Sequence, residues 1–434
     1  MLPRLMSLFG IVVLLGIAWL MSNNKRRINY RTVVVGLSIQ FVLGFLLLYW
    51  QPGQDFFQWF ANLVKSFLAL SEEGARFMFG NLANSEHYFT DGSKWPGFGF
   101  QFAFIVLPTI IFFSAFMSML YYLGIMQRFV RFLARFMQKA LGTSGSETLS
   151  VTANIFVGQT EAPLLIRPFL EKMTKSELLT VMVGGFATIA GGVLAGYIGM
   201  GIPAGHLIVA SVMSAPAALV VAKIIYPETE QSQTAGNVEM PEFDSGRNLI
   251  DAAARGTTDG LKLAVNVGAM LIAFISIIAF VDWVLGGIDG LIDGRWLQGA
   301  QLASGEFKGW VPGSLKTIFG TILAPLAFLM GVPWHDAAHV GNLLGVKLSV
   351  NEFVAYAQLG DYLQTGVISE RAQIIATYAI CGFANFSSIG IQIGGISALA
   401  PSRRGDLSRL GLKAMFGGAI ASWITATIAG VIIP

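Results

Sequence analysis

Residues Thr143–Phe169 read TSGSETLSVTANIFVGQTEAPLLIRPF, and they decide how the chain folds. The stretch carries Ser144, Ser146, Glu147, Ser150, Thr152, Asn154, Gln159, Thr160, Glu161 and Arg167, too many polar groups for a helix that faces lipid. Yet apolar runs of spanning length lie on both sides of it. A bilayer core tolerates such backbone only where protein or a water-filled cavity covers it. A hairpin that dips in and returns to the same side meets that requirement. A second stretch, Val332–Tyr362, has the same character.

Working outward, the 434 residues are 54% hydrophobic and only 12% charged, with mean hydropathy +0.64. A soluble domain carries roughly 25% charged residues, so this chain has too few ions to cover a water-facing surface. It is long enough for roughly eight to ten crossings at about 20 residues each. The net charge of +3 gives no footing for nucleic-acid binding, and the single Cys381 excludes an intrachain disulfide. Leu5–Met21 has one preceding base, Arg4, and is followed by Lys25, Arg26 and Arg27. That bias is reversed for a cleaved signal, so the segment reads as a retained helix entering from outside.

The positive-inside rule then orders the chain. Spans are expected at Leu5–Met21, Val33–Trp50, Phe102–Leu123, Leu178–Tyr197, His206–Tyr226, Leu261–Phe280, Ile374–Leu399 and Leu410–Ile433. Residues 51–98, with an amphipathic stretch around Phe56–Leu70, and the loop 286–312 fall outside. Arg128, Arg131, Arg135 and Lys139 lie three or four apart among aromatic residues, which predicts an interfacial helix on the cytoplasmic surface. Trp310–Met330 reads as a second interfacial or tilted helix. Every strongly basic cluster lands inside, and both termini are expected in the periplasm.

The order span, surface helix, hairpin, span, span occurs twice, over residues 101–226 and 258–434. Residues 1–100 form an N-terminal unit and 227–257 a cytoplasmic loop. Gly185-Phe186-Ala187 and Gly382-Phe383-Ala384 echo one another downstream of the two hairpins. The units start on opposite sides, so they are inverted. Inverted repeats with interrupted helices mark secondary transporters, with the site at the repeat interface.

Glu161 and Glu352 fall at the two hairpin tips. A carboxylate at bilayer depth costs roughly 3 kcal/mol or more, so a ligand or coupling role outweighs a purely structural one. Gln159 and Thr160 offer donors and acceptors beside Glu161. Asn385, Ser387 and Ser388 interrupt an apolar span, as do Thr188, Gly191 and Gly192 in the equivalent span. Such groups suit a neutral hydroxylated or amide-bearing solute, and also Na⁺, a hard ion that takes oxygen ligands. No fixed cation faces the set, which disfavours a phosphorylated substrate. His335, Asp336 and His339 match a two-histidine zinc spacing but lack the glutamate base and a third ligand; they read as an outer-surface or hairpin-lining pair.

Gly158-Gln159-Thr160-Glu161-Ala162-Pro163-Leu164 resembles the concentrative nucleoside transporter family. So do Asn351-Glu352-Phe353-Val354-Ala355-Tyr356, Cys381-Gly382-Phe383-Ala384-Asn385-Phe386-Ser387-Ser388-Ile389 and Leu399-Ala400-Pro401-Ser402-Arg403-Arg404-Gly405-Asp406. The likeness runs over nearly the whole chain and is closest to bacterial sodium-coupled members. It implies an all-α polytopic membrane protein of eight transmembrane helices and two re-entrant hairpins, with scaffold and transport domains, assembled as a homotrimer. It implies an elevator-type symporter, not an enzyme, in the bacterial inner membrane. The resemblance assigns Gln159, Thr160, Glu161 and Val193 to the nucleobase of uridine or a similar nucleoside. It assigns Glu352, Asn385 and Ser388 to the ribose, with Phe383 lining the pocket, and Asn154, Val157, Thr188 and Ile189 to the sodium ion. Thr188 stands where relatives can have serine, which keeps the hydroxyl. Competing readings are a proton-coupled nucleoside symporter, an intramembrane metal-dependent hydrolase at His335 and His339, and a channel or receptor. The inverted repeat argues against a simple channel.

Overall fold

The computed structural model describes residues 2–83, 101–235, 246–292 and 313–433, and the regular structure of these residues is helical. The N-terminal unit contains α1 (Leu2–Leu20), α2 (Tyr30–Leu48), α3 (Gln51–Ala69) and α4 (Ser71–Phe79). Asn29 starts α2 by accepting from the backbone N–H groups of Arg31 and Thr32. The amphipathic stretch around Phe56–Leu70 is α3, which leaves Phe56, Trp59 and Leu63 exposed. The part of the outer segment at residues 84–98 lies outside the described residues.

Next come α5 (Phe102–Tyr122) and α6 (Ile125–Leu141). The α6 helix buries Val130, Ala134, Met137 and Leu141 and exposes Phe129, Phe132 and Phe136. The first polar stretch becomes α7 (Gly145–Ala153), a turn, a 3-10 segment at Ala162–Ile166 and α8 (Arg167–Leu170). Then follow α9 (Lys175–Ala187), α10 (Gly191–Gly199) and α11 (Ala204–Ile225). Thr174 and Glu177 start α9 with a reciprocal capping box, Thr174 Oγ1 taking the Glu177 N–H and Glu177 Oε2 taking the Thr174 N–H.

The second unit opens with α12 (Leu249–Asp289). The expected span Leu261–Phe280 is only its middle. Asn248 caps the helix on the Asp251 N–H, so residues 249–257, assigned above to the cytoplasmic loop, are its first turns. Its 41 residues rise about 60 Å. The loop assigned to 286–312 is helical at its start, and its residues 293–312 lie outside the described ones. Then come α13 (Leu315–Leu329) and α14 (Trp334–Ser349), bent by 115° at their junction, and α15 (Glu352–Thr365). The chain ends with α16 (Glu370–Ile380), α17 (Phe386–Leu399) and α18 (Arg404–Ile432).

Among the described residues, seven helices are long and apolar enough to cross a membrane, and they coincide with seven of the expected spans; the bent pair α13–α14, which is not among the expected spans, would make eight if it crosses as one. The remaining expected span, Ile374–Leu399, is split at residues 381–385 into two half-helices. α12 packs along α5, and α18 along α11. The core between α9, α11 and α18 is fully buried, with Phe186, Leu219 and Ile424 at its centre.

The ends of this bundle are chemically distinct. At one end Asn23 N–H donates to Ile225 O, Arg403 donates to the carbonyls of Leu170, Glu171 and Met173, and the Lys223 ammonium lies 2.7 Å from Glu147 Oε2. At the other, Arg4 and Arg371 both donate to Ile433 O, and Ser7 donates to Met330 O. The loop 21–29 and the loop after α11 therefore share an end, which also carries Lys25, Arg26, Arg27 and Arg404. Reporter fusions at 22–24 and at 231–235 should both read cytoplasm. A periplasmic signal from either loop overturns this topology.

Candidate functional site

The two broken helices, α9–α10 and α16–α17, cross at their breaks. Phe383 N–H donates to Thr188 O at 3.3 Å, one backbone to the other. The close approach depends on Gly382, whose φ is +129°. A Cβ there would lie 2.6 Å from Phe186 O and 2.9 Å from Ala187 O. The turn after α7 rests on the same place, since Gly191 N–H donates to Phe156 O at 3.1 Å.

Against this crossing lies a cavity of about 470 Å³. Its lining includes Gln159, Thr160 and Glu161 from the turn after α7, Val193 from α10, Glu352 from the start of α15, Phe383 and Asn385 from the α16–α17 break, and Ser388 from the first turn of α17. All eight residues expected at a substrate site therefore share one wall. None of its described lining residues is Lys or Arg. A second cavity of about 630 Å³ adjoins it through Glu161, Leu263 and Asn266 and reaches Arg255, Asp259 and Lys262 on α12.

Glu352 is the first residue of α15 and is 3% exposed. Its position at a helix N-terminus favours the negative charge. Tyr197 Oη donates to Oε1 at 3.1 Å, and Asn385 Nδ2 donates to Oε2 at 3.2 Å. Each carboxylate oxygen keeps lone pairs for a further donor. Asn385 is held in turn: its Oδ1 accepts from Ser388 N–H and from Ser387 Oγ, both at 2.8 Å, and so caps α17. Its amide orientation is therefore set by the helix it starts. Glu161 lies in the turn before the 3-10 segment and is exposed to the cavities.

The resemblance places the ion at Asn154, Val157, Thr188 and Ile189; of the elements that carry them, α7 and α9 pack together, with Val151 against Gly184. Asn154 and Thr188 terminate α7 and α9, so each lies at a partially negative helix C-terminus. Asn154 Nδ2 donates to Ser150 O, while its Oδ1 is buried with no hydrogen-bond partner. Thr188 Oγ1 donates to Gly184 O at 2.8 Å, leaving its lone pairs unused. A carboxamide oxygen without a partner and a hydroxyl with free lone pairs are oxygen donors of the kind that a small hard cation takes.

Sequence reasoning passed over Tyr197 and Gln392. Both are lone polar groups in apolar helices, and Gln392 lies four residues after Ser388 on the same face of α17. The His335, Asp336 and His339 group is otherwise engaged: Asp336 Oδ2 accepts from Ser369 N–H and Oγ, and His339 packs edge-on against Tyr362. Among the described residues no group of three His, Cys, Asp or Glu is placed to hold a metal ion.

An apolar helical bundle with two crossed helix breaks over a cavity that carries amide, hydroxyl and carboxylate groups has the character of a multi-pass membrane transporter. The family described as Na+ dependent nucleoside transporter matches with its N-terminal part at residues 9–82 and its C-terminal part at 206–430, and a nucleoside recognition domain matches 103–204. An uncharacterized transporter of Haemophilus influenzae is 47% identical over 99% of this chain and 98% of its own. Nucleoside permease NupC of Helicobacter pylori is 44% identical over 99% and 98%. Sodium/nucleoside cotransporter 1 of Mus musculus is 42% identical over 99% of this chain and 64% of its own. The solved structure of CNTnw in an inward-facing substrate-bound state is 42% identical, with TM-score 0.89 over 99% of this chain and 98% of that one. The chain belongs to the concentrative nucleoside transporter family.

Proposed function

We propose that this protein is a sodium-coupled nucleoside symporter of the bacterial inner membrane. In this reading it imports uridine or a similar nucleoside by alternating access. Eight spans and two re-entrant hairpins form each protomer of a homotrimer. The transport domain, with both hairpins, moves elevator-fashion against a scaffold, and both termini are periplasmic. Residues 101–226 and 258–434 are the inverted repeats.

The observation that carries this reading is the buried, unpartnered Asn154 Oδ1 at the C-terminus of α7, together with a cavity whose described lining includes no Lys or Arg. The ion neutralises the carbonyl ends and holds the hairpin turn against the α9–α10 break. The cavity then presents Gln159, Thr160 and Glu161 to the base and Glu352, Asn385 and Ser388 to the ribose. A proton-coupled symporter would use a hairpin carboxylate as its proton carrier, and the unpartnered Asn154 oxygen favours sodium over it. Uridine uptake into proteoliposomes decides between them: sodium should drive accumulation at constant pH, and a proton gradient alone should not.

Thr188→Ala removes a hydroxyl from the ion set and leaves the nucleobase contacts alone. Apparent sodium affinity should fall more than nucleoside affinity measured at saturating sodium. By linkage, nucleoside binding at low sodium should fall as well. Unchanged sodium dependence in this variant excludes Thr188 as a ligand.

A further inference from the structure

We propose that Gln392, which lies behind the cavity wall, fixes the amide orientation of Gln159 and so dictates which hydrogen-bonding edge of a base the cavity accepts. The inference rests on the reading that Gln159 meets the nucleobase. Gln392 is completely buried on α17. Its Nε2 lies 3.1 Å from Met182 O and 3.0 Å from Gln159 Oε1. A backbone carbonyl only accepts. Turning the Gln392 amide over would set two oxygens against each other at Met182, so its NH₂ must face that carbonyl. The second proton of the same NH₂ then goes to Gln159 Oε1.

This settles Gln159 in turn. Its oxygen is committed to Gln392, and its NH₂ faces Ser388 Oγ at 3.3 Å and the cavity. Gln159 is therefore a donor toward the substrate, while Glu161 is an acceptor. The matching base edge carries a carbonyl or ring-nitrogen acceptor for Gln159 and an N–H for Glu161. Two features show that the arrangement is built for this purpose. Gln392 leaves its own Oε1 buried without a hydrogen-bond partner, a cost that makes sense only if its NH₂ is needed. Gly185 makes the room: a Cβ there would lie 2.6 Å from Gln392 Nε2 and 3.0 Å from Gln159 Cβ.

Gln392 is thus a positioning residue, and its effect should appear in discrimination between bases. The test compares inhibition constants of uridine and inosine with those of their thiocarbonyl analogues, 2-thiouridine, 4-thiouridine and 6-thioinosine. Sulfur is a poor acceptor, so the wild type should bind the analogue altered at the Gln159-facing carbonyl about fivefold more weakly. Gln392→Leu and Gln392→Met free the Gln159 amide to turn, and that penalty should vanish in both. The ratio of constants reports only folded, binding-competent protein, so a general loss of stability leaves it unchanged. Gln159→Ala separates the two layers. If it leaves every ratio as in the wild type, the base-contact reading fails and this proposal with it. If it alters the ratios while both Gln392 variants keep the wild-type penalty, the positioning role alone is overturned.

Discussion

Glu352→Gln should weaken nucleoside binding roughly ten- to a hundredfold while the protein still folds and inserts. A charge-assisted hydrogen bond in a partly dry site is worth roughly 1.5–3 kcal/mol. The geometry adds a second reason for a large effect. Both carboxylate oxygens already accept a donor, Tyr197 Oη on one side and Asn385 Nδ2 on the other. A glutamine has one acceptor and one NH₂. The NH₂ cannot face Asn385 Nδ2, and if it faces Tyr197 instead, the phenol must turn to accept. The variant thus disturbs the shell that aims the group as well as removing its charge. A nucleoside lacking the contacted hydroxyl leaves Glu352 underpaired, and a free base lacks the whole sugar. The decisive comparison measures binding of uridine, its 3′-deoxy analogue and uracil to wild type and Glu352→Gln, with thermal unfolding in detergent as the folding check. Equal binding of all three by the wild type, or unchanged uridine binding by the variant, would falsify the ribose assignment.

Gly382→Ala should abolish uptake through the fold itself. The backbone at φ +129° suits glycine alone, and holding another residue there costs on the order of 1–3 kcal/mol. The added methyl would also press on the Phe186 and Ala187 peptides, which are backbone and cannot rotate away. Relief requires the two broken helices to separate, and that moves Thr188 and Phe383 together. Gly390→Ala, four residues into α17 with nothing within 4 Å of the new Cβ, is the matched control. It should be neutral or slightly stabilising, because alanine is the better helix former by roughly 0.5–1 kcal/mol. The pair is read by melting temperature and uridine uptake. Similar behaviour of the two variants means the crossing does not depend on Gly382.

Much of this arrangement was legible in the amino-acid order. The interruption of the spans by short helices and turns at 143–169 and 332–362 was legible as polar stretches between apolar runs, because lipid forbids polar backbone that nothing covers. The helix breaks were visible at Thr188, Gly191 and Gly192 and at Asn385, Ser387 and Ser388, where small and capping residues interrupt apolar spans. The extent of α12 was hidden, since Asp251, Arg255, Asp259 and Lys262 make its first turns look like a loop. What periodicity cannot supply is the meeting of distant elements. Gln159 and Ser388 are 229 residues apart in the chain, and Tyr197 reaches Glu352 across 155. Each lies in a separate segment of the chain, and only the folding of those segments together makes them neighbours.

In the proposed symport, the crossing of the two helix breaks gives an uncharged nucleoside access to voltage. A nucleoside has no net charge, so the membrane field does no work on it directly. A cation crossing with it gains about 2.3 kcal/mol per 100 mV, which corresponds to roughly a fiftyfold accumulation ratio. The Phe383 N–H to Thr188 O bond joins the peptide beside the proposed ion to the peptide beside the proposed substrate. In the proposed symport, the electrical work done on the ion therefore reaches the nucleoside through one shared pair of peptide groups. Uptake should generate a current, and dissipating the potential with a potassium ionophore should lower accumulation even when the sodium concentrations on the two sides are left untouched.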